Sequence, residues 1–250
     1  MNILYANVVS EIQKLCLKKR TLFLLIISAL IPIGTALILS VFQNNVGIIP
    51  ITKNQFPIFV LSIFTSYFLP LVIAMVTIDL FSGEFGDRNI KIVLLRPISR
   101  FKIYTSKILS IGIFIIVNLA IAFIFSCLAL ILIKGNYQFI NGFLKGLVAY
   151  GVSIVPMIAI AIAITFIGQF FKSTGSGLTI SILIYIAISI ISRLSPQFSR
   201  ITFTSYTDWY QLWIGSSILI GKVISSFIII LSYSMIFFGI GFYLFDKKEL

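Results

Sequence analysis

Apolar residues run in long blocks along this chain, over about 21–42, 56–80, 107–133, 146–171, 177–194 and 223–245, and shorter segments between them hold most of the charge. A helix needs about 20 apolar residues to cross the hydrocarbon core of a membrane, and each block meets or approaches that length. Where no water reaches, backbone polar groups must be satisfied inside the structure, which favours helices. A membrane β-barrel would instead show alternating segments of about 10 residues, and none is visible. The pattern predicts an all-α polytopic membrane protein with six transmembrane helices. Pro32 should bend the first span, with Gly34 adding local freedom.

The segments between the blocks predict further elements. Within 1–20, Tyr5, Val8, Ile12 and Leu15 fall at helical spacing with Glu11, Lys14 and Lys18 on other faces, as in a basic amphipathic helix lying along the membrane interface. Residues 43–55 form a polar loop, Lys134-Gly135-Asn136 a tight turn on the same side, and Lys172-Ser173-Thr174-Gly175 a short turn on the other. The stretch 195–222 is too polar to span and too apolar for a free loop. Its Trp209, Tyr210 and Trp213 suit a membrane–water interface, so a re-entrant or interfacial segment before the last span is expected. The first block follows a 20-residue head and ends in Val41-Phe42-Gln43 without a small-x-small cleavage pattern, so it reads as a retained helix. Residues 1–250 read as a single transmembrane domain.

Composition agrees with this picture. Charged residues make up 10% of the chain and hydrophobic residues 59%, against roughly 25% charged in soluble domains. The net charge of +12 fits the excess of Lys and Arg in cytoplasmic loops better than nucleic-acid binding. With the N-terminus inside, thirteen of the 19 Lys and Arg fall on the inner side and six on the outer, so both termini are expected in the cytoplasm. Cys16 lies in the head and Cys127 inside the third span, too far apart in the membrane to pair.

Catalysis by this chain is not expected. With no histidine, zinc hydrolysis of the His-ligand type and Ser-His-Asp triads are excluded. Asp79 and Asp208 fall at opposite ends of the spans, so they cannot share a proton as an aspartyl dyad must. The nearest approach to a phosphate loop, GSSILIGKV from Gly215, has the wrong spacing, Val223 after its lysine and no preceding strand. No cofactor or metal is implied. Asn118, inside the third span, is expected to bond a neighbouring helix or line a pathway. Gly142-x-x-x-Gly146 is a spacing that lets two helices approach closely.

The most charged inter-span segment is 83–104. Glu84 pairs with Arg88 and Asp87 with Lys91 at i,i+4 in the favoured acid-first order, and acids leading bases suit the helix dipole. Ile90, Val93 and Leu94 form an apolar stripe. Pro97 stops the helix, because it pushes Arg96 before it out of the α region, and Ser99 is a good N-cap for a new one. The segment therefore reads as a short amphipathic helix and a sharp turn, held between two spans and able to receive force from a soluble partner.

This run resembles the corresponding loop of ABC-2-type ABC transporter permeases, in particular the small bacterial permeases of bacitracin and lantibiotic exporters. The resemblance is carried by Glu84, Ile90, Lys91, Val93, Leu94, Arg96, Pro97, Ser99, Arg100 and Lys107, with Arg88-Asn89 standing where Gly-Thr is usual. It implies a permease subunit in the bacterial cell membrane that exports an amphipathic substrate such as an antimicrobial peptide or drug. The implied partners are two ATPase subunits docking beneath the loop helix, a second permease chain and the lipid bilayer, with no nucleic acid. Export of sodium or of a lipid-linked substrate fits the same fold, and a non-transporting scaffold or sensor subunit is the rival from another class.

Overall fold

The computed structural model describes residues 3–46, 52–86, 99–133, 139–171, 173–194, 197, 202–215 and 219–247, with backbone alone at 3, 44–46, 84–86 and 139–141. Helix α1 (Ile3–Leu17) turns at Lys18 into α2 (Lys19–Val46). Helix α3 (Phe56–Ile63) passes through one π-helical turn (Phe64–Phe68) into α4 (Leu69–Gly86). Helix α5 (Arg100–Ala129) closes in a 3-10 turn, and α6 (Phe139–Gly168) and α7 (Thr174–Leu194) follow. A 3-10 turn (Phe203–Asp208) and the short α8 (Gln211–Ile214) then precede α9 (Ile220–Lys247).

All six expected spans are present as helices long and apolar enough to cross a membrane. The helix of the third span begins at Arg100, ahead of the apolar block at 107, because Ser99 is extended (φ −64°, ψ 141°) and the chain is helical at once after it. Ser99 holds the N-cap position but its side chain makes no cap bond; the Lys102 N–H donates to its carbonyl at 2.9 Å. Helix α2 continues through Pro32 without ending.

Helix α6 is the centre of the bundle, with contacts to α3, α4, α5, α7, α8 and α9. In its most apolar window 61% of residues are buried, against 17% for α7 and for α9. Those two helices and α2 therefore keep most of their apolar surface for lipid or another chain. Without a solvent-driven core between helices, close packing supplies the cohesion. Gly146 shows it: a Cβ there would lie 2.9 Å from Phe123 of α5. Gly142 is also buried.

Two prolines determine where other elements attach. A proline inside a helix leaves the carbonyl four residues earlier without its usual donor, and in the membrane that carbonyl must find another. Pro156 frees Val152, and the Trp209 indole N–H donates to the Val152 carbonyl at 3.1 Å. Pro70 frees Ser66 inside the π turn, and the Tyr185 hydroxyl donates to that carbonyl at 3.3 Å. The first contact fastens the segment before α9 onto α6; the second fastens α7 onto the α3–α4 junction. Trp209 (5% exposed) and Tyr210 are accordingly buried, within the segment that the sequence suggested to be re-entrant or interfacial.

Trp209→Phe keeps most of the packing and deletes the donor, leaving the Val152 carbonyl unmet. It is expected to destabilise the detergent-held protein by about 1–3 kcal/mol. In a Pro156→Ala background, where the residue 156 N–H can serve Val152, the same change should cost clearly less. Thermal or denaturant unfolding of the four proteins checks this, and equal costs in both backgrounds would refute the carbonyl account.

Candidate functional site at the base of the 83–100 loop

The two helices that frame the loop, α4 and α5, meet α1 and the end of α9 at one end of the bundle. Lys107 of α5 is 1% exposed. Its ammonium lies 3.3 Å from Glu11 Oε2 and donates to the Leu80 carbonyl of α4 at 3.1 Å, with the Phe81 ring 5.8 Å away. The other oxygen of Glu11 accepts from Lys14 at 2.8 Å. A single carboxylate thus bridges a lysine of α1 and a lysine of α5. One turn further along α5, the Ser110 hydroxyl lies 3.3 Å from the Val8 carbonyl of α1.

A second ion pair ties the α1–α2 junction to α4, with Lys18 Nζ 2.6 Å from Asp79 Oδ2. Ser82, a turn later, donates to the Gly168 carbonyl at the end of α6 at 3.0 Å. On the other side Arg100, the first residue of α5, donates to the Asp246 carbonyl of α9. Its Nε also lies 4.0 Å from the Asp246 carboxylate.

Between these polar contacts sits an aromatic cluster. Tyr104 packs on Phe81, Phe238, Phe242 and Phe245 with ring centroids 5.2–5.8 Å apart. Gly241 makes room for it, since a Cβ there would lie 2.5 Å from the Tyr104 hydroxyl. The residues entering and leaving the loop are therefore held from three sides: by α1, by α6 and by α9.

Of the residues singled out from sequence, Arg88, Ile90, Lys91, Val93, Leu94, Arg96 and Pro97 lie outside the described residues, as do Asp87 and the side chain of Glu84. Ser99 and Arg100 lead α5. Asn118 is fully buried and donates to the Phe114 carbonyl of its own helix at 3.0 Å. Its Oδ1 has no partner among the described residues. An acceptor four residues back along the same helix, the Phe114 carbonyl, is always within reach of that amide.

Glu11 departs from expectation. The sequence reading put it on a polar face of the N-terminal helix, yet it is 4% exposed. The signal was present: Val8, Glu11 and Leu15 share i, i+3, i+7 spacing, and only an opposite charge can compensate a carboxylate inside that stripe. Lys107, at the head of an apolar block, is that charge.

The arrangement is mechanical in character. Among the described residues no group of Cys, Asp or Glu is placed to hold a metal, and Glu11, Lys14, Lys18, Asp79, Arg100, Lys107 and Asp246 are engaged with one another. Removing one member of a buried ion pair costs about 3–5 kcal/mol, while replacing both by apolar residues is often near neutral. Glu11→Leu is therefore expected to lower unfolding stability strongly, and Glu11→Leu/Lys107→Met to recover most of the loss. Independent, additive losses in a four-protein unfolding cycle would show that the two side chains do not act as a pair.

Comparison with known proteins accords with this geometry. No curated protein matches the chain. A protein family described as ABC-2 family transporter protein matches residues 8–191, well over half of it. That stretch runs from the Val8 contact of α1 through α7 and contains Glu11, Asp79, Lys107 and the whole loop. With six apolar helices framing it, the chain belongs to the ABC-2 family of membrane transporter proteins.

Proposed function

We propose that this chain is the permease subunit of an ATP-driven exporter whose ATP is hydrolysed by separate subunits docked on residues 83–100. The observation that carries the reading is the double anchoring of that segment. Asp79 and Ser82 hold its entry to α2 and α6, while Arg100 and Lys107 hold its exit to α9 and α1. A segment fixed at both ends transmits displacement to the spans; one tethered loosely dissipates it.

Docking is assigned to the face formed by Ile90, Val93 and Leu94, with the Glu84–Arg88 and Asp87–Lys91 pairs keeping the helical shape and Pro97 setting the turn into α5. Two ATPase subunits and a second permease chain, the same or homologous, complete the assembly. The sparsely buried α2, α7 and α9 leave apolar surface for that second chain and for lipid. The substrate class best suited to so apolar a bundle is an amphipathic peptide or drug. The termini, at the same end as the loop, lie in the cytoplasm in this reading.

Leu94→Asp tests the docking face. A carboxylate buried against a partner without a counter-charge costs several kcal/mol. The variant is expected to insert at normal abundance yet lose substrate-stimulated ATP hydrolysis in the reconstituted complex, with the ATPase's basal turnover intact. Full stimulation and full assembly would reduce the segment to a charged tether.

A further inference from the structure

The opposite end of the bundle holds a cavity for which the coupling reading has no use. It lies between the Phe203–Asp208 turn with α8 and the start of α9, has a volume of about 630 Å³, and is bordered by Asp208, Trp209, Leu212, Lys222, Ser225 and Ile229. Charges of opposite sign line this one space. Neither Asp208 nor Lys222 is in an ion pair among the described residues. Asp208 Oδ1 is buried with no hydrogen-bond partner among the described residues.

Asp208 also borders a smaller polar cavity of about 170 Å³ that includes Arg193. The Arg193 guanidinium is turned to Tyr67, donating to its hydroxyl at 3.2 Å and lying over its ring. Burial pushes the Asp208 carboxyl above its usual range, with the charge of Arg193 working the other way. A cationic donor arriving in the larger cavity would meet the partly desolvated Asp208 carboxylate, which has no ion pair among the described residues.

The walls are fixed beforehand. Trp209 is fastened to the Val152 carbonyl and packs on Trp213 and on Phe227 of α9. Ile229 of the cavity lining is followed on the same face of α9 by the exposed Ile236 and Ile240, an apolar track beside a polar hole.

We propose that this cavity seats the headgroup of a zwitterionic membrane lipid bearing a primary ammonium, with the ammonium on Asp208, the phosphate on Lys222 and an acyl chain along α9. A primary ammonium offers three N–H donors to the carboxylate and to neighbouring hydroxyls. A choline headgroup has none, and a glycerol headgroup offers Asp208 only neutral hydroxyls. The site is thus selective for phosphatidylethanolamine over phosphatidylcholine and phosphatidylglycerol. It does not depend on the chain's being an exporter.

The chain has two tryptophans, Trp209 and Trp213, and both belong to this segment, so intrinsic fluorescence reads the site directly. The full chain is placed in nanodiscs of phosphatidylglycerol and phosphatidylcholine, and lipids brominated on the acyl chain are titrated in at low mole fraction. Brominated phosphatidylethanolamine is expected to quench with about tenfold higher relative affinity than brominated phosphatidylcholine, the worth of one good charge-assisted hydrogen bond. Asp208→Asn should bring the two lipids level, and Lys222→Gln should weaken both by a similar factor, with the emission maximum unchanged to show that the tryptophans have not moved. Equal quenching in the wild-type protein, a preference surviving in Asp208→Asn, or undiminished affinity for both lipids in Lys222→Gln overturns the proposal. Should Asp208→Asn alter the emission maximum, Lys222→Gln, which lies on α9 and away from the Trp209 anchor, decides alone: unchanged affinity for both lipids overturns the proposal.

Discussion

A charged group sunk among apolar helices must find its counter-charge within the protein, and at Lys107 that requirement organises one whole end of the bundle. The ammonium is satisfied from two directions, by Glu11 of α1 and by the Leu80 carbonyl of α4. Three helices distant in sequence are thereby drawn to one point, and Lys14 completes the carboxylate. Desolvating each ion costs several kcal/mol, recovered only while the geometry holds. Such a contact is all-or-none: it tolerates little sliding of α1 along α5. Around it Lys18–Asp79 and Arg100–Asp246 are partly exposed, and pairs of that kind contribute little stability singly; their role is to fix direction.

The same constraint acts on the backbone at the other end. Pro156 and Pro70 each remove a donor from a membrane helix, and the freed carbonyls are met by Trp209 and Tyr185. A helix-breaking residue thus becomes an attachment point. The segment before α9 is held by such a contact and by aromatic packing, which is why a stretch too polar to span is nonetheless inside the protein. It also explains how Asp208, one residue before Trp209, comes to border a preformed cavity.

Much of this was legible in the sequence because hydrophobic blocks of spanning length admit few structures. The six helices follow from length and apolarity, and the start of α5 from Pro97 and Ser99. The pairings across the bundle were harder to read. Glu11 seemed polar-facing because an amphipathic helix is ordinarily read with its charges outward, and a carboxylate within the apolar stripe becomes intelligible only beside Lys107. The aromatic character of Trp209 was legible, but its bond to the Val152 carbonyl was not, because that carbonyl is freed by the distant Pro156. Asn118 turned back on its own helix because a carbonyl four residues away is always within reach. In each case the deciding partner is remote in sequence, and local pattern carries no information about it.

The account makes α1 and the base of α5 one rigid block beneath the loop. The Ser110 hydroxyl lies 3.3 Å from the Val8 carbonyl across that block, so a cysteine pair at these positions is the cross-link to try, its closure on oxidation confirmed by gel mobility. The direct measurement is substrate-stimulated ATP turnover of a reconstituted complex carrying Val8→Cys and Ser110→Cys, with Cys16 and Cys127 replaced by serine, before and after oxidation. A rigid block predicts the same stimulated turnover with the cross-link closed or reduced. Loss of stimulation on oxidation, restored by reduction, would show that α1 must move against α5 during the cycle and would contradict the account.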